Sequence, residues 1–252
     1  MKALGVVDAG TVPYRTALAW QLDLHARRLA DEIADVVLLL EHPHVYTLGR
    51  RFAKDHLLAG EDTLREQGID VVETDRGGSV TYHGPGQLVA YPILDLRRPG
   101  QQYPDAIRYL RQLEEAIIRT VRGLDVAAGR REGLTGVWVG NAKLASIGVN
   151  VSRGITRHGF ALNVSTDLRK FEMMVPCGIP ECEMTSLEVL LRRPISVAEV
   201  FDRTSRHLAK VLHRRATPMT LAELGLPATS PDAGDARMLD AKIIDFPGAA
   251  EV

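Results

Sequence analysis

Hydrophobic positions along the chain follow two periods, one helical and one alternating. Tyr14, Leu18, Leu22, His25, Leu29 and Ile33 recur at steps of three to four behind Pro13, which predicts an amphipathic helix over 13–33. VVLLL at 36–40 is apolar throughout and rich in branched residues, the pattern of a strand covered on both faces, and the polar EHPHVYTLGRR after it is expected to be a loop. Alternating runs at 69–75, 79–83 and 88–96 predict strands, and Ile107, Leu110, Leu113, Ile117 and Val121 return the helical period over 105–122. VWVGNAKLASIGVNV reads as two strands joined by a tight turn at Gly140-Asn141, with HGFALNV continuing the sheet. Short helices are predicted at 185–192 and 197–213, and the core is expected to end there.

From about Ala216 the composition turns to Pro, Ala, Gly and Asp, and residues 227–237 hold too few apolar side chains to offset the entropy of ordering. The expected organisation is therefore one domain over 1–215 and a partly disordered extension over 216–252. With 31 basic and 32 acidic side chains, no global field draws the chain to nucleic acid or anionic lipid. No apolar run is long enough to span a bilayer and MKALGVVDAG does not read as a signal peptide, so the expectation is a cytoplasmic protein with neither nucleic-acid nor membrane partners. Two cysteines, Cys177 and Cys182, are too few for a disulfide framework.

Three stretches carry candidate chemistry. In DRGGSVTYHGPGQ, residues 75–87, Gly77, Gly78, Gly84 and Gly86 break a strand pattern at a cost in entropy and burial, as they would if something must approach that backbone. An isolated Gly-Gly more often marks a bulge, but here Arg76, Thr81, Tyr82 and His83 stand beside it, able to hold a carbonyl, carboxylate or phosphate. In KLASIG, strict alternation puts Lys143 on one face with Ala145 and Ile147, while Leu144, Ser146 and Gly148 take the other; a lysine after a turn is ordinarily solvated, yet this one begins a row that can be buried. In MMVPCGIP, Cys177 is either a small buried hydrophobe or, given Pro176 and Gly178, a thiol presented on a fixed turn, in which case Lys143 is the cation to favour its thiolate. A zinc site fits poorly: His207 and His213 fall on different helix faces and no carboxylate completes a site with His42 and His44, so no metal is expected.

RGGSVTYHGPGQLVAYP, KLASIG, HGFALN and PCGI, preceded by EHPHVYTLGRR, together resemble the signature segments of the lipoyl(octanoyl) transferases, in family order over roughly residues 36–192. The resemblance implies an α/β (α+β) fold, a mixed sheet flanked by helices as in biotin and lipoate protein ligases. It implies movement of an octanoyl group from octanoyl-acyl carrier protein to a lysine of the lipoyl domains of 2-oxoacid dehydrogenases and of the glycine cleavage H protein, without a cofactor. By the same resemblance Cys177 carries the acyl thioester and Lys143 lowers its pKa. Arg76, Gly77, Gly78, Ser79, Val80, Thr81, Tyr82, His83, Ser146, Ile147, Gly148, Gly159, Phe160 and Ala161 stand at the substrate-contacting positions. Cys182 is expected to be dispensable. The alternatives are an ATP-dependent lipoate or biotin protein ligase, which needs no cysteine, and a non-catalytic relative that binds acyl groups or lipoyl domains. Arg50, Arg51, Arg153, Arg157 and the Arg192-Arg193 pair are candidate rim charges for acidic docking domains.

Overall fold

The computed structural model describes residues 1–97, 101–175 and 182–228. An eight-stranded sheet runs in the order β11-β1-β2-β6-β10-β9-β8-β7, formed by β1 (Lys2–Thr11), β2 (Asp35–Glu41), β6 (Gln87–Ile93), β7 (Gly129–Arg131), β8 (Leu134–Val139), β9 (Ala142–Ser152), β10 (Ile155–Asn163) and β11 (Arg214–Met219). β11 and β2 pair parallel to β1, and the remaining neighbours are antiparallel. A second sheet of three strands, β4-β3-β5, comprises β3 (Val45–Leu48), β4 (Asp70–Glu73) and β5 (Val80–His83).

Helices α3 (Ala106–Arg122) and α5 (Val197–Val211) cover one face of the large sheet, where Tyr109, Leu113, Ile117, Val121, Val200 and Leu208 bury against Val37, Ala90, Ala145 and Phe160. α1 (Tyr14–Leu29) lies on the other face, its Trp20 and Leu24 packing with Leu38, Val89 and Tyr91. Because both faces are covered, the central strand β2 is buried along Asp35–Leu40, which explains its unbroken apolar run. A third cluster joins the small sheet to α2 (Glu61–Glu66) and to a 3-10 turn over Leu168–Met173 through Tyr46, Leu64, Ile69, Tyr82 and Phe171. α4 (Leu187–Leu191) closes the sheet beside β10, with Ser186 capping its first turn.

Four strands depart from the sequence reading, among them the short edge strand β7. β1 occupies the N-terminus because Leu4, Val6, Val7 and Ala9 bury against both cores. VYTL, expected within a loop, is β3, with all four residues buried. β11 carries the sheet past residue 215, and Leu224 and Leu226 beyond it join the α1-side core. Its edge position suits RRATPM: Pro218 has no N–H to give a further neighbour, and Arg214 donates to buried Asp35 at 2.8 Å. The expected disorder from residue 229 onward lies outside the described residues.

Candidate active site

The segment from Asp75 to His83 bridges the two sheets, and its buried side chains fasten it at both ends. Asp75 accepts from Nδ2 of Asn150 at 3.0 Å and from Nε2 of His158 at 2.7 Å, and pairs with the guanidinium of Arg157. Burial alone would push this carboxyl up, but the hydrogen bond from His158, with the charge and hydrogen bond of Arg157, holds it well below the usual carboxylate range. Arg76 turns the other way and donates to the Thr47 carbonyl and hydroxyl at 2.5 and 2.9 Å, which accounts for a buried threonine in β3. Gly77 N–H then bonds the Val149 carbonyl at 3.0 Å, so the loop crosses directly over β9. The crossing requires glycine beneath it: a Cβ on Gly148 would stand 2.8 Å from the Gly77 oxygen.

Under this crossing lies a cavity of about 600 Å³. Arg76, Gly77, Gly78, Ser79, Val80, Thr81 and His83 line it from the loop and β5, and Lys143, Ser146, Ile147, Gly148, Gly159, Phe160 and Ala161 from β9 and β10. Tyr82 is not brought to it. Alternation along β5 turns its ring into the small-sheet core, where the phenol lies 2.6 Å from Nδ1 of His44. Cys177 lies outside the described residues, whereas its described neighbours Met174 and Met184 both line the cavity.

Lys143 reaches the cavity by a route that strict alternation hides. β8 and β9 pair Trp138 with Lys143 but Val137 with Ala145, leaving Leu144 as an extra residue on β9. Across this bulge the neighbours Leu144 and Ala145 both enter the α3-side core, and Lys143 joins Ser146 and Gly148 on the cavity side rather than Ala145. Its side chain is 2% exposed. β10 ends at Asn163, and in the slot beyond it residues 183–185 pair with β9: Lys143 N–H donates to the Glu183 carbonyl at 2.7 Å and Thr185 N–H to the Lys143 carbonyl at 2.9 Å. Asn163 Nδ2 holds the Thr185 carbonyl at 3.0 Å, its Oδ1 accepts from Gln87 Nε2 at 2.9 Å, and Gln87 Oε1 lies 2.7 Å from Nδ1 of His83. One polar chain thus ties the glycine segment to the stretch following Cys177. On the other side of that cysteine, Val175 N–H is bonded to the His56 carbonyl at 2.8 Å.

Opposite lies a wall of aromatic and imidazole rings that sequence patterning missed: Tyr14, Tyr91 and His158 line the cavity, with Tyr14 stacked 5.9 Å from His83. Burial lowers the affinity of His83 and His158 for a proton, and desolvation raises Tyr91 well above its ordinary value, so this wall is uncharged at neutral pH. Trp138, like His56, Leu134 and Thr135, is a further unforeseen lining residue, and only its cross-strand position opposite Lys143 could have flagged it. His42 and His44 diverge: His42 sits between the Val12 carbonyl and the Tyr91 hydroxyl, at 2.6 and 2.7 Å, while His44 meets Tyr82. Among the described residues no three His, Cys, Asp or Glu side chains gather in a metal-binding group. Of the arginines considered for the rim, Arg51 lines the cavity mouth, whereas Arg157 is buried against Asp75. No helix among the described residues is long and apolar enough to cross a membrane.

Comparison with known proteins places the chain in a family and its fold among solved structures. The model of the lipoyl protein ligase A/B catalytic domain matches residues 13–209. The octanoyltransferase of Solibacter usitatus is 51% identical over 83% of this chain and 93% of its own length, and that of Chloroflexus aggregans 45% identical over 85% and 97%. Among solved structures, a bipartite lipoate protein ligase from Thermoplasma acidophilum superposes with a TM-score of 0.68 at 20% identity, covering 88% of this chain and 90% of that one. A lipoate-protein ligase A bound with ATP gives 0.65 at 16% identity over 89% and 92%; at these identities the likeness concerns the fold. From the matched domain and the identities over most of both chains, the chain belongs to the lipoyl protein ligase A/B catalytic-domain family, among the octanoyltransferases.

Proposed function

We propose that this protein is an acyltransferase that moves an octanoyl group from octanoyl-acyl carrier protein to a lysine of apo lipoyl domains, those of 2-oxoacid dehydrogenases and the glycine cleavage H protein, by way of a thioester on Cys177. The observation that carries the reading is the position of Lys143: it lines the cavity from a strand whose backbone is bonded to residues 183–185, and Met174 and Met184, which precede and follow Cys177 in the sequence, line the same cavity. A cation held beside a thiol favours the thiolate, the form that attacks.

In the first step the Cys177 thiolate attacks the thioester carbonyl, the carrier's C–S bond breaks, and the departing thiolate takes a proton that Lys143 can supply. In the second, the neutral amine of the acceptor lysine attacks the acyl-enzyme, the new C–N bond forms, Cys177 leaves as thiolate, and the amine's surplus proton returns to Lys143. The exchange of one thioester for another is nearly isoenergetic and the amide lies lower, so no ATP enters. Apolar surface from Val89, Ile147, Phe160, Ala161 and Met174 suits an eight-carbon chain, each buried methylene contributing about 0.8 kcal/mol. Arg76, Gly77, Gly78, Ser79, Thr81 and His83 would hold the polar end of the same substrate.

The test is intact-protein mass spectrometry after mixing with octanoyl-acyl carrier protein without ATP, followed by an apo lipoyl domain. One octanoyl group should appear on Cys177 and then move to the acceptor lysine. Transfer that begins only with ATP and free octanoate would replace this reading with the ligase one.

A further inference from the structure

Trp138 is 3% exposed and stands directly across from Lys143 in the β8–β9 pairing, with the lysine Nζ 5.3 Å from its ring centroid. The Arg131 guanidinium, brought in on β7, lies 5.0 Å from the same ring. A buried indole attracts a cation over its face more strongly than any other side-chain ring. Two residues before it, Gly136 has φ +131°, and a Cβ there would meet the Ala145 oxygen and the Lys143 Cε, each at 2.7 Å. The Gly136 N–H donates to Oε1 of Glu114 at 3.2 Å, and this fully buried carboxylate is itself fixed by Arg111 and Arg130 at 2.7 and 2.8 Å. The helix therefore sets the height of β8, and β8 sets the ring against the lysine.

We propose that Trp138 is a positioning residue for the reaction: its ring face, held at depth by Glu114 through Gly136, keeps the Lys143 ammonium in the cavity, where the proposed reaction uses it. The inference rests on the reading of Lys143 as the partner of Cys177. It gives the buried indole a part in placing charge that its packing alone would not require. Among the described residues Arg131 from β7 also lies against the ring, and the Glu114 carboxylate behind Gly136 is taken up by Arg111 and Arg130.

Fluorination of tryptophan drains charge from the ring face with little change in shape, so it separates attraction from packing. The chain has two tryptophans, Trp20 and Trp138, so a Trp138→Phe variant grown with the same analogues labels Trp20 alone. The rate of Cys177 acylation by octanoyl-acyl carrier protein should fall stepwise by about three- to tenfold across mono-, di- and trifluorinated chains. The same series should be flat in Trp138→Phe and in Lys143→Met. A flat series in the otherwise unaltered chain, with Lys143→Met still slow, would leave Trp138 as packing only and overturn the inference. An equal decline in Trp138→Phe would transfer the effect to Trp20 and overturn it as well. A Lys143→Met chain that acylates at the normal rate would overturn the proposed Cys177–Lys143 pair itself.

Discussion

Replacing Asp75 by Asn tests whether the buried anchor of the glycine segment holds the cavity in shape. The Asp75 side chain is 26% exposed, but its partner Arg157 is 3% exposed, so the substitution leaves a guanidinium without its counter-charge in the interior. Breaking such a pair costs about 3–5 kcal/mol when both members are buried, and the partial exposure of Asp75 reduces this to about 2–4 kcal/mol. For a domain of this size that is a fall in Tm of roughly 4–15 °C. His158 and Asn150 lose a charged acceptor at the same time, and a shift of the Arg76–Gly78 backbone over Gly148 should lower the rate of Cys177 acylation by about tenfold or more. The pH dependence follows from the direction of the carboxyl's shift. Its folded-state affinity for a proton lies below the ordinary one, near 3.8, so its stabilisation is whole above about pH 4 and is lost as the pH falls further. Thermal unfolding followed by circular dichroism between pH 2 and 7 should show a steeper acid limb in the unaltered chain than in Asp75→Asn. Equal Tm values at neutral pH, with superimposable acid limbs, would refute the reasoning.

Further outcomes follow from the same geometry. Cys177→Ser should abolish acyl transfer, and Lys143→Ala should keep the fold while losing most of the rate, measured as octanoyl incorporation into a lipoyl domain; Cys182→Ser should transfer normally. Gly136→Ala places a methyl group 2.7 Å from the Lys143 Cε at φ +131°, which should cost about 1–3 kcal/mol and slow acylation by at least about tenfold, read by urea unfolding and by single-turnover kinetics. Burial lowers His42 from 6.5 to about 4 despite its bond to the Val12 carbonyl, so the unfolded chain takes up the proton first. The gap corresponds to roughly 3 kcal/mol of stability that is present above pH 6.5 and lost on acidification toward pH 4, and a His42→Gln chain should show a shallower urea-midpoint slope over that window.

Much of this architecture could be read from the residues. The helical period at 105–122 ends within a residue of α3, and the Gly140-Asn141 turn separates β8 from β9 as its composition requires. What escaped are elements whose stability is supplied from elsewhere. Thr47 in β3 is buried because Arg76, distant in sequence, bonds it, and β11 is an exposed arginine-rich edge that becomes a strand by pairing with β1. In the site, the clustered Arg76–His83 segment announced itself by its cost in glycines. Tyr14, Tyr91, Trp138 and His158 are contributed by four separate elements, and no local pattern joins them. The bulge at Leu144 escaped for a different reason: KLASIG alternates equally well with or without an unpaired residue, and only the register of β8 reveals it.

That unpaired residue makes β9 a strand whose parity matters. From Ala145 onward every second side chain belongs to the core; before Leu144 the assignment is reversed. Regular pairing of the same residues, without the bulge, would exchange the faces on its N-terminal side, sending the ammonium toward α3 and Leu144 into the cavity with no change in composition. Conversely, Ser146 can be altered to reshape the cavity without touching the packing of Leu144 and Ala145, since its side chain faces the cavity and theirs the α3-side core.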